Sequence, residues 1–422
     1  MRCFAVLLLF ALGCNNNRNS QPASSKITQA TPITVINQPA VHTTIDTINT
    51  SALSIGLSPQ QVRLSNTDSF YLQIPVGYGI AVAAKLNTRL RFLVKSPDGR
   101  LFATDMHDRS DNRRGRVLIL ENWNDSSKSF DKITTFLNNL HNPNQVAFYK
   151  DFIYVAETDR LRRFKYEAGK AGPADTGALV ASFPDYGLNY KYGGWHLTRS
   201  IAFKNDKLYV SVGSSCNACI EKETIRASIV EMNPDGSAAK TFASGLRNTV
   251  GLKFIGDQLW GTGMGRDLIG PDKPEDVFQQ IDSAGFYGWP YYFQYQQKIY
   301  ADETFKDSAR PAGIQEPPKA FLGFKAHSAP LGFDYFKNFE DAALNNSVLV
   351  CLHGSTSVWR QRGNAIVRIE ANNKYTEIVS GFLTGKTEAG RHGRPCDVLM
   401  NNASSFFFTD DLKGVLYYVW KR

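Results

Sequence analysis

The sequence predicts an all-β protein, a six-bladed β-propeller of four-stranded antiparallel blades. Helical periodicity is scarce, whereas short β-rich runs separated by Asp-Gly, Asn-Asp or Gly-Asp turns recur along the chain. The recurring unit is an apolar strand, a tight turn and a second strand that ends in small or polar residues. Radial repetition of such units protects the edges of their sheets, and the alternative, a pair of β-sandwiches, does not explain the repeat.

Six copies of this unit follow one another along the chain. Their spacing of about 50 to 80 residues suits four-stranded blades arranged around an axis. The copies begin at Arg91, Val146, Ile201, Gly251, Gly332 and Asp397. A third strand with basic residues among apolar ones follows several copies, as at residues 161–164 and 366–369.

The first residues have the pattern of a bacterial lipoprotein signal. Arg2 supplies positive charge, residues 4–12 form an apolar run, and small residues precede Cys14, although Ala11 stands where leucine is usual. The run is too short for a membrane-spanning helix, which needs roughly 20 residues. We expect residues 1–13 to be a signal peptide and Cys14 to carry lipid at the cell envelope, facing the periplasm or the exterior. Secretion without lipid is the alternative.

Residues 14–59 are rich in Asn, Ser, Thr, Gln and Pro, which is the composition of a flexible tether. Residues 60–422 are then the propeller, and the lipid is its only expected membrane contact. A net charge of +9 is compatible with nucleic-acid binding. Lys and Arg are scattered, however, and no recognition motif is present, so we expect no nucleic-acid partner and a basic surface that favours anionic ligands.

Four cysteines remain once the signal peptide and the lipid position are set aside, and export places them in an oxidising compartment. The pair Cys216 and Cys219 fits a loop-stapling disulfide better than a redox couple or half of a zinc site, because no second CxxC or CxxH accompanies it. Cys351 and Cys396 form either a second bridge or two buried thiols, and their spacing does not decide between the two.

The propeller fold predicts where polar side chains converge. In each blade the innermost strand starts, and the next strand ends, at the same mouth of the central channel. Residues in these positions are His141, His196, Arg247, His327 and His392 before inner strands, and Asp105, Glu157, Ser214, Arg266, His353 and Asp410 at or beyond second-strand ends. Loops are polar in any protein, but this convergence of histidines and arginines predicts a site for an anionic or polar ligand with an available base.

Several segments carry a resemblance to a known family. One is Gly245-Leu246-Arg247-Asn248-Thr249-Val250-Gly251-Leu252, and others are Trp195-His196-Leu197-Thr198-Arg199-Ser200, Val212-Gly213-Ser214-Ser215-Cys216-Asn217-Ala218-Cys219, Gly285-Phe286-Tyr287-Gly288-Trp289-Pro290, Ala326-His327-Ser328-Ala329-Pro330, Leu352-His353-Gly354-Ser355 and Gly393-Arg394-Pro395. Together they resemble the soluble glucose and sorbosone dehydrogenases, six-bladed propellers that use pyrroloquinoline quinone (PQQ), and above all the sorbosone branch. They cover residues 90–420 in the order of that family.

The resemblance implies roles for three residues in alcohol oxidation. Removing hydride from a carbinol or lactol carbon requires a base for the hydroxyl proton, and His196 matches the family's catalytic histidine. Arg247 matches the cation that stabilises negative charge on the reduced quinone. Asn248 matches a polar contact to the cofactor.

The resemblance also implies where PQQ and calcium bind. The family's calcium is held partly by backbone carbonyls that correspond here to Gly265 and Arg266. Arg394, His353 and Arg360 fall where the family places groups that bind the carboxylates of PQQ.

Three positions depart from the glucose branch. Ser214 stands where that branch has an aspartate that orients and charges the catalytic histidine, although the sorbosone branch shares the serine. Thr249 replaces a proline, which changes stiffness rather than chemistry. Cys396 occupies the position of a second cofactor arginine, so one PQQ anchor is expected to be missing.

The region after the fourth repeat carries two further features. Residues 286–330 contain many aromatics and predict either a wall for a stacked sugar or a long loop packed on the propeller. Four acids follow one another closely in this region, and we expect them to be solvated loop charge, with a structural calcium site as the alternative. They are Asp267, Asp272, Glu275 and Asp276.

The predicted function is that of an envelope quinoprotein. It would oxidise a sugar, or a related aldose or alcohol, and pass electrons from PQQ to a soluble acceptor or a respiratory chain. The alternative is a catalytically inactive propeller that binds carbohydrate or protein, since propellers host many functions.

Overall fold

The computed structural model describes residues 48–50, 53–184, 196–308, 310 and 316–422 of the 422-residue chain. The predicted signal peptide, Cys14 and most of the predicted tether lie outside the described residues. Within them, six blades of four antiparallel strands each, one of them extended by a short parallel strand, confirm the predicted six-bladed propeller. The helical segments described are three short 3-10 turns, and none of the described helices is long and apolar enough to cross a bilayer.

Three strands precede the first blade. They are β1 (Leu57–Arg63), β2 (Ser69–Pro75) and β3 (Tyr78–Lys85). β1 begins within the segment whose composition predicts the tether, and it pairs with β2 in a hairpin. Phe70 and Leu72 of this hairpin are buried in a cluster with residues of the fifth and sixth blades, so the hairpin is part of the folded body.

The blades follow in chain order, and each runs from an axial strand outward to the rim. Blade 1 is β4 (Leu90–Lys95), β5 (Leu101–Asp105), β6 (Gly115–Asn124) and β7 (Ser129–Leu140); blade 2 is β8 (Gln145–Tyr149), β9 (Phe152–Ala156), β10 (Arg160–Lys165) and β11 (Ala178–Ser182); blade 3 is β12 (Ile201–Lys204), β13 (Lys207–Val212), β14 (Ser228–Met232) and β15 (Lys240–Ser244).

The second half of the molecule repeats this arrangement. Blade 4 is β16 (Thr249–Ile255), β17 (Gln258–Gly263), β18 (Asp276–Ile281) and β22 (Leu322–Phe324); blade 5 is β23 (Pro330–Phe336), β24 (Ser347–Leu352), β25 (Ala365–Glu370) and β26 (Lys374–Val379); blade 6 is β27 (Pro395–Asn402), β28 (Ser405–Asp410) and β29 (Val415–Lys421), with β3 as its outer strand.

The axial strands form a closed ring. β4, β8, β12, β16, β23 and β27 contact one another in that order, and β27 contacts β4. Blade 6 completes the circle because β29, near the end of the chain, pairs with β3, from before blade 1. The two ends of the propeller are therefore held in one sheet.

Second strands of the blades are largely apolar because neighbouring blades cover both of their faces. All six residues of β24 and of β28 are buried, as expected for strands without a solvent face. Between blades 1 and 2, Phe102 packs its ring 5.1 Å from that of Phe148. Burying one such side chain contributes roughly 1.5–3 kcal/mol, so the blade interfaces are the core of the molecule.

The aromatic insertion lies inside blade 4 and not after it. The fourth strand, β22, follows the insertion, which contains β19 (Gly285–Phe286) and a hairpin of β20 (Tyr292–Tyr295) and β21 (Lys298–Ala301). β19 adds in parallel to the outer strand of blade 3. The boundary predicted after the fourth repeat was wrong because β22 has only three residues, too few for a periodic pattern.

Candidate active site

A cavity of about 350 Å³ opens to solvent at one mouth of the propeller. Residues at the starts of axial strands and at the ends of second strands line it, as the fold predicts. Among the residues singled out in the sequence, those that line the cavity are His196, Arg247, Asn248, Gly265, Asp267, Asp276, His327, His353 and Arg394. The cavity wall carries five arginines against two carboxylates, so it is electropositive.

His196 lies at the cavity wall, five residues before β12, with a backbone φ of +53°. Its Nδ1 is 2.9 Å from both the carbonyl oxygen and the Oγ of Ser214. A carbonyl only accepts, and the Ser214 hydroxyl donates to the Cys216 carbonyl at 2.7 Å, so Nδ1 carries the ring hydrogen. Nε2 is then the nitrogen that can take a proton.

The surroundings of His196 keep its imidazole neutral. Burial, and next the charge of Arg247, lower the pKa of His196 to about 3. Ser214 orients the ring as a carboxylate would, but it supplies no charge that would stabilise an imidazolium. The residue is therefore in the form required of a base at neutral pH.

Arg247 is buried at the end of the loop between β15 and β16. Its Nε donates to the Asn217 carbonyl at 2.8 Å, and its Nη2 donates to Asn217 Oδ1 at 3.0 Å. Asp267 lies 4.0 Å from the same guanidinium. Burial lowers the pKa of Arg247 to about 10, which leaves the side chain charged at neutral pH.

Asn248 presents an amide with almost no protein partners. It is buried at the cavity wall, and its Oδ1 has no hydrogen-bond partner among the described residues. Among the described residues its Nδ2 has one long contact, to Met264 Sδ at 3.9 Å. A buried amide in this state costs free energy unless a ligand completes its hydrogen bonds.

Arg394 and His353 line the cavity on the side of blades 5 and 6. The Arg394 Nε donates to the His353 carbonyl at 3.0 Å, and its Nη2 donates to the Gly354 carbonyl. Burial lowers the pKa of Arg394 to about 9. The pKa of His353 is lowered to about 3, mainly by burial and next by the charge of Arg394. The arginine stays charged and the histidine neutral.

A buried aspartate, Asp411, connects this side to blade 1. Its Oδ1 accepts from His353 Nε2 at 2.6 Å, and its Oδ2 accepts from Arg91 at 2.6 Å and from Arg89. Burial alone would raise the pKa of Asp411, but Arg89, His353 and Arg91 hold it well below its usual value. One carboxylate thus fixes two arginines at the cavity.

Three arginines of the cavity wall were missed by the sequence reasoning. They are Arg89, Arg91 and Arg109. Arg89 directly precedes the axial strand of blade 1, the position that identified a polar residue in each of the other five blades. The place of Arg89 before an axial strand could therefore have identified it from the sequence. Arg109 lies in a loop that no periodic pattern singles out.

Other residues predicted at the mouth are bound elsewhere. His141 is buried between Asp111 and Asp159, with its Nδ1 3.1 Å from Asp159, and these carboxylates raise its pKa although burial opposes them. His392 stacks on Phe70 of the β1–β2 hairpin at a ring distance of 4.9 Å. Neither lines the cavity, so the prediction of five converging histidines was wrong for these two.

Carboxylates at the ends of second strands brace the blades instead of facing the cavity. Asp105 binds Arg116 at 2.6 Å, and Glu157 binds Arg162 at 2.7 Å. Asp410 is fully buried and accepts from the backbone N–H of Arg394 at 2.9 Å. Burial is the main reason that these acids are always paired with a donor.

Arg360 does not line the cavity. It lies in the 3-10 turn Val358–Arg360, where its guanidinium stacks over Trp359 at 4.7 Å. Its Nη1 is buried without a hydrogen-bond partner among the described residues.

The two residues expected to hold calcium differ in position. Gly265 lines the cavity, and its N–H donates to Asp276 Oδ1 at 2.8 Å. The Arg266 side chain turns to Asp302, with Nε 2.6 Å from Oδ2, and so it does not line the cavity.

The four acids of the blade 4 loop do not form a cluster. Asp267 contacts His327, and Asp272 binds Arg362. Glu275 accepts hydrogen bonds from Gln294 and Gln296. Asp276 accepts hydrogen bonds from two backbone N–H groups. These four carboxylates therefore do not converge on one point, and solvated loop charge, the preferred prediction, is wrong for Asp276, which is buried.

The aromatic insertion packs on the propeller beside the site. Four of its aromatics line a separate cavity of about 80 Å³, namely Tyr287, Trp289, Tyr292 and Phe293. This cavity shares Arg247 and Gly265 with the main one. No aromatic residue of the described insertion lines the main cavity. The loop packs on the propeller as one of the two predictions expects, and the stacking of a sugar on its aromatics stays a prediction.

Cys216 and Cys219 are joined in a disulfide, within the loop that follows β13. Cys351 and Cys396 are two separate buried thiols, which decides between the alternatives left open by their spacing. Cys396 lies in an apolar cluster with Phe92 and Val250, and burial raises its pKa, so it does not replace the charge of an arginine.

The fold is shared with several solved proteins. No protein-family model and no curated protein sequence matches the chain. The chain is similar in structure to the holo form of the pyranose dehydrogenase PQQ domain from Coprinopsis cinerea, with a TM-score of 0.67 and 14% identity over 85% of this chain and 98% of that one.

Two further solved structures extend this similarity. A calcium structure of a Trichoderma reesei carbohydrate-active enzyme of family AA12 has a TM-score of 0.67 and 15% identity, over 89% of this chain and 99% of that one. The PQQ-bound aldose sugar dehydrogenase from Streptomyces coelicolor has a TM-score of 0.53 and 15% identity, over 82% and 99%. The resemblance read from the motifs is confirmed at the level of the fold.

Proposed function

We propose that this chain is an exported quinoprotein that oxidises a sugar, or a related aldose or alcohol, with PQQ as hydride acceptor. The observation that carries the proposal is the arrangement of one cavity, where a neutral histidine and a charged arginine, His196 and Arg247, lie among four further arginines. The solved proteins that share the fold include PQQ-bound sugar dehydrogenases.

The cavity fits the charge and polarity of PQQ. PQQ is a planar tricarboxylate, and guanidinium groups bind carboxylates with strong, directional hydrogen bonds. Arg394, Arg89 and the incompletely bonded amide of Asn248 supply such donors at the wall. Arg89 thereby offers the positive charge that Cys396 cannot supply. His353, and Arg360 further out, complete the set of residues proposed to bind the carboxylates of PQQ.

The proposed chemistry divides between the cofactor and the protein. PQQ, when bound, supplies an electrophilic quinone that accepts hydride. His196 takes the substrate hydroxyl proton at Nε2 while Ser214 holds its Nδ1–H. Arg247 stabilises negative charge that develops in the cavity.

The low pKa of His196 is consistent with this role once an anion is bound. Arg247 contributes to the lowering, so an anion placed beside Arg247 offsets that effect and raises the pKa of His196. The histidine then becomes a stronger base only when the cofactor is present.

Calcium is proposed to bind at the backbone of Gly265 and Arg266. Calcium prefers oxygen ligands such as backbone carbonyls and carboxylates. Gly265 lies at the cavity wall beside the buried carboxylate of Asp276, which supplies negative charge in an otherwise basic site.

The proposed location is the cell envelope, with lipid at Cys14 and residues 14–59 as the tether. The Cys216–Cys219 disulfide supports it, because such bonds persist in oxidising compartments. A soluble acceptor or a respiratory chain would then remove the electrons.

The proposal is tested by reconstitution. Purified apo-protein receives PQQ and calcium chloride, and dye reduction is followed with aldoses and sorbosone. We expect PQQ-dependent turnover, and His196→Ala should lower kcat by roughly 10²- to 10⁴-fold while PQQ stays bound. Absence of both PQQ binding and turnover would overturn the proposal. Binding without turnover on any substrate would favour the inactive propeller instead.

A further inference from the structure

The disulfide loop between β13 and β14 lies directly behind the proposed catalytic residues. Asn217, inside the Cys216–Cys219 ring, uses its carbonyl to accept from Arg247 Nε at 2.8 Å and from Trp289 Nε1 at 3.3 Å. The two cysteines and Asn217 belong to a segment that resembles a known family, but that resemblance assigns no role to Asn217.

The Asn217 side chain adds three hydrogen bonds to these two. Its Oδ1 accepts from Arg247 Nη2 at 3.0 Å and from the Asp267 N–H at 2.8 Å, and its Nδ2 donates to the Asp267 carbonyl at 3.0 Å. One residue therefore binds the guanidinium through two oxygens and ties it to the loop that follows β17.

The same loop reaches the proposed base. The Ser214 hydroxyl donates to the Cys216 carbonyl at 2.7 Å, and the Ser214 N–H donates to the Arg247 carbonyl at 2.8 Å. Since Ser214 holds His196 Nδ1, a displacement of Cys216 changes the partners of both catalytic residues.

We infer that the Cys216–Cys219 disulfide is a redox-sensitive brace that positions Arg247 through Asn217. The loop has no regular secondary structure, so the covalent ring restricts the backbone of Asn217 together with the hydrogen bonds of this residue. Reduction adds two electrons and two protons, breaks the S–S bond and leaves two thiols. Asn217 then gains backbone freedom, and Arg247 loses its fixed orientation.

The inference rests on the proposed function for its catalytic meaning, but its geometry is testable without PQQ. Phenylglyoxal modifies arginine side chains in proportion to their accessibility, and peptide mass spectrometry locates the modified residue. Arg394 is the matched control, because it is equally buried at the cavity but is held by carbonyls of blade 5.

The experiment compares apo-protein with the disulfide intact and after reduction with a dithiol. The dithiol is oxidised to its cyclic disulfide, the two new thiols are alkylated, and the reagent is removed before phenylglyoxal is added. We expect modification of Arg247 to become several-fold faster, with the rate at Arg394 unchanged. An unchanged rate at Arg247, or an equal increase at both arginines, would overturn the brace.

Asn217 itself is tested in the PQQ-loaded protein with an intact disulfide. Asn217→Ala removes the side-chain oxygen, and we expect kcat to fall about 10-fold with little change in KM, since misplacing a charged group mainly affects the transition state. N217D keeps Oδ1 and should recover most of kcat.

Equal losses of kcat in N217D and Asn217→Ala would refute a positioning role. Protein that binds no PQQ with the disulfide intact would refute the proposed function instead, and the phenylglyoxal rates would still decide on the brace.

Discussion

At the scale of single residues, the chemistry of the site depends on charges held in fixed states. His196 is neutral because it is buried beside Arg247, and Arg394 stays charged despite burial. Each of these states follows from a specific neighbour: the Ser214 carbonyl fixes the histidine tautomer, and the carbonyls of His353 and Gly354 satisfy the arginine. Preorganised groups of this kind do not have to rearrange during a reaction.

Asp410 gives a prediction about pH and stability. Its Oδ1 accepts from the backbone N–H groups of Arg394 and Leu412, each at 2.9 Å, while its Oδ2 is buried without a hydrogen-bond partner in the described part of the chain. Burial raises the pKa of Asp410 to about 7. The folded protein thus keeps a proton that the unfolded chain releases near pH 4, so this residue costs stability as pH rises from about 4 to 7.

We expect Asp410→Asn to become more stable relative to the wild type across that pH window. The difference in the free energy of unfolding should grow by on the order of 3 kcal/mol and then level off, as urea denaturation at several pH values would measure. A difference that does not change with pH would show that Asp410 is ionised in the folded protein.

The sequence predicted part of this site. His196, Arg247, Asn248, His353 and Arg394 were placed at one mouth because strand starts and ends mark it, or because the motifs resemble a known family. The contacts of Asn217 could not be predicted, since they join separate loops of neighbouring blades. The sharing of Asp411 by two arginines could not be predicted either, since blade 6 meets blade 1 only when the ring of blades closes.

At the scale of elements, the closing sheet of blade 6 is the feature on which the ring depends. β29 pairs with β3 from Val415 opposite Lys85 to Lys421 opposite Tyr78. Gly79 lies opposite Trp420, and a Cβ at Gly79 would approach the indole ring to within 2.5 Å. Gly79, on the outer strand β3, leaves room for Trp420 of the neighbouring strand β29.

Gly79→Val is therefore expected to destabilise the propeller. The clash should cost about 1–3 kcal/mol and lower Tm, as calorimetry would measure. Trp420→Leu in the same chain should restore most of the loss, because the two side chains are in contact and their effects are not additive. If Gly79→Val lowered Tm equally in chains with Trp420 and with Trp420→Leu, the pairing of Gly79 opposite Trp420 would be contradicted.

The elements that sequence patterns predicted best are the paired axial and second strands. Their apolar runs repeat in all six blades because neighbouring blades bury them. A short turn joins the two strands in every blade except blade 5, where residues 337–346 lie between β23 and β24. The outer strands were harder to place: β22 has three residues, and β3 belongs to the last blade although it precedes the first. Neither fact is visible in a local window of sequence.

At the scale of the whole molecule, charge and architecture favour an anionic ligand. The chain has a net charge of +9, and its cavity wall adds five arginines at the axis. A basic surface with a focused positive cleft raises the rate at which anions arrive. The other arginines of the cavity wall and the disulfide loop both lie around His196 and Arg247.

The most direct measurement of the central claim is anaerobic absorbance spectroscopy of the protein loaded with PQQ and calcium, without an added dye. On mixing with an oxidisable aldose, the account predicts that bound PQQ changes from its oxidised to its reduced spectrum in the wild type and much more slowly in His196→Ala. If PQQ does not bind, or if its spectrum stays oxidised with every sugar and alcohol offered, the account is contradicted.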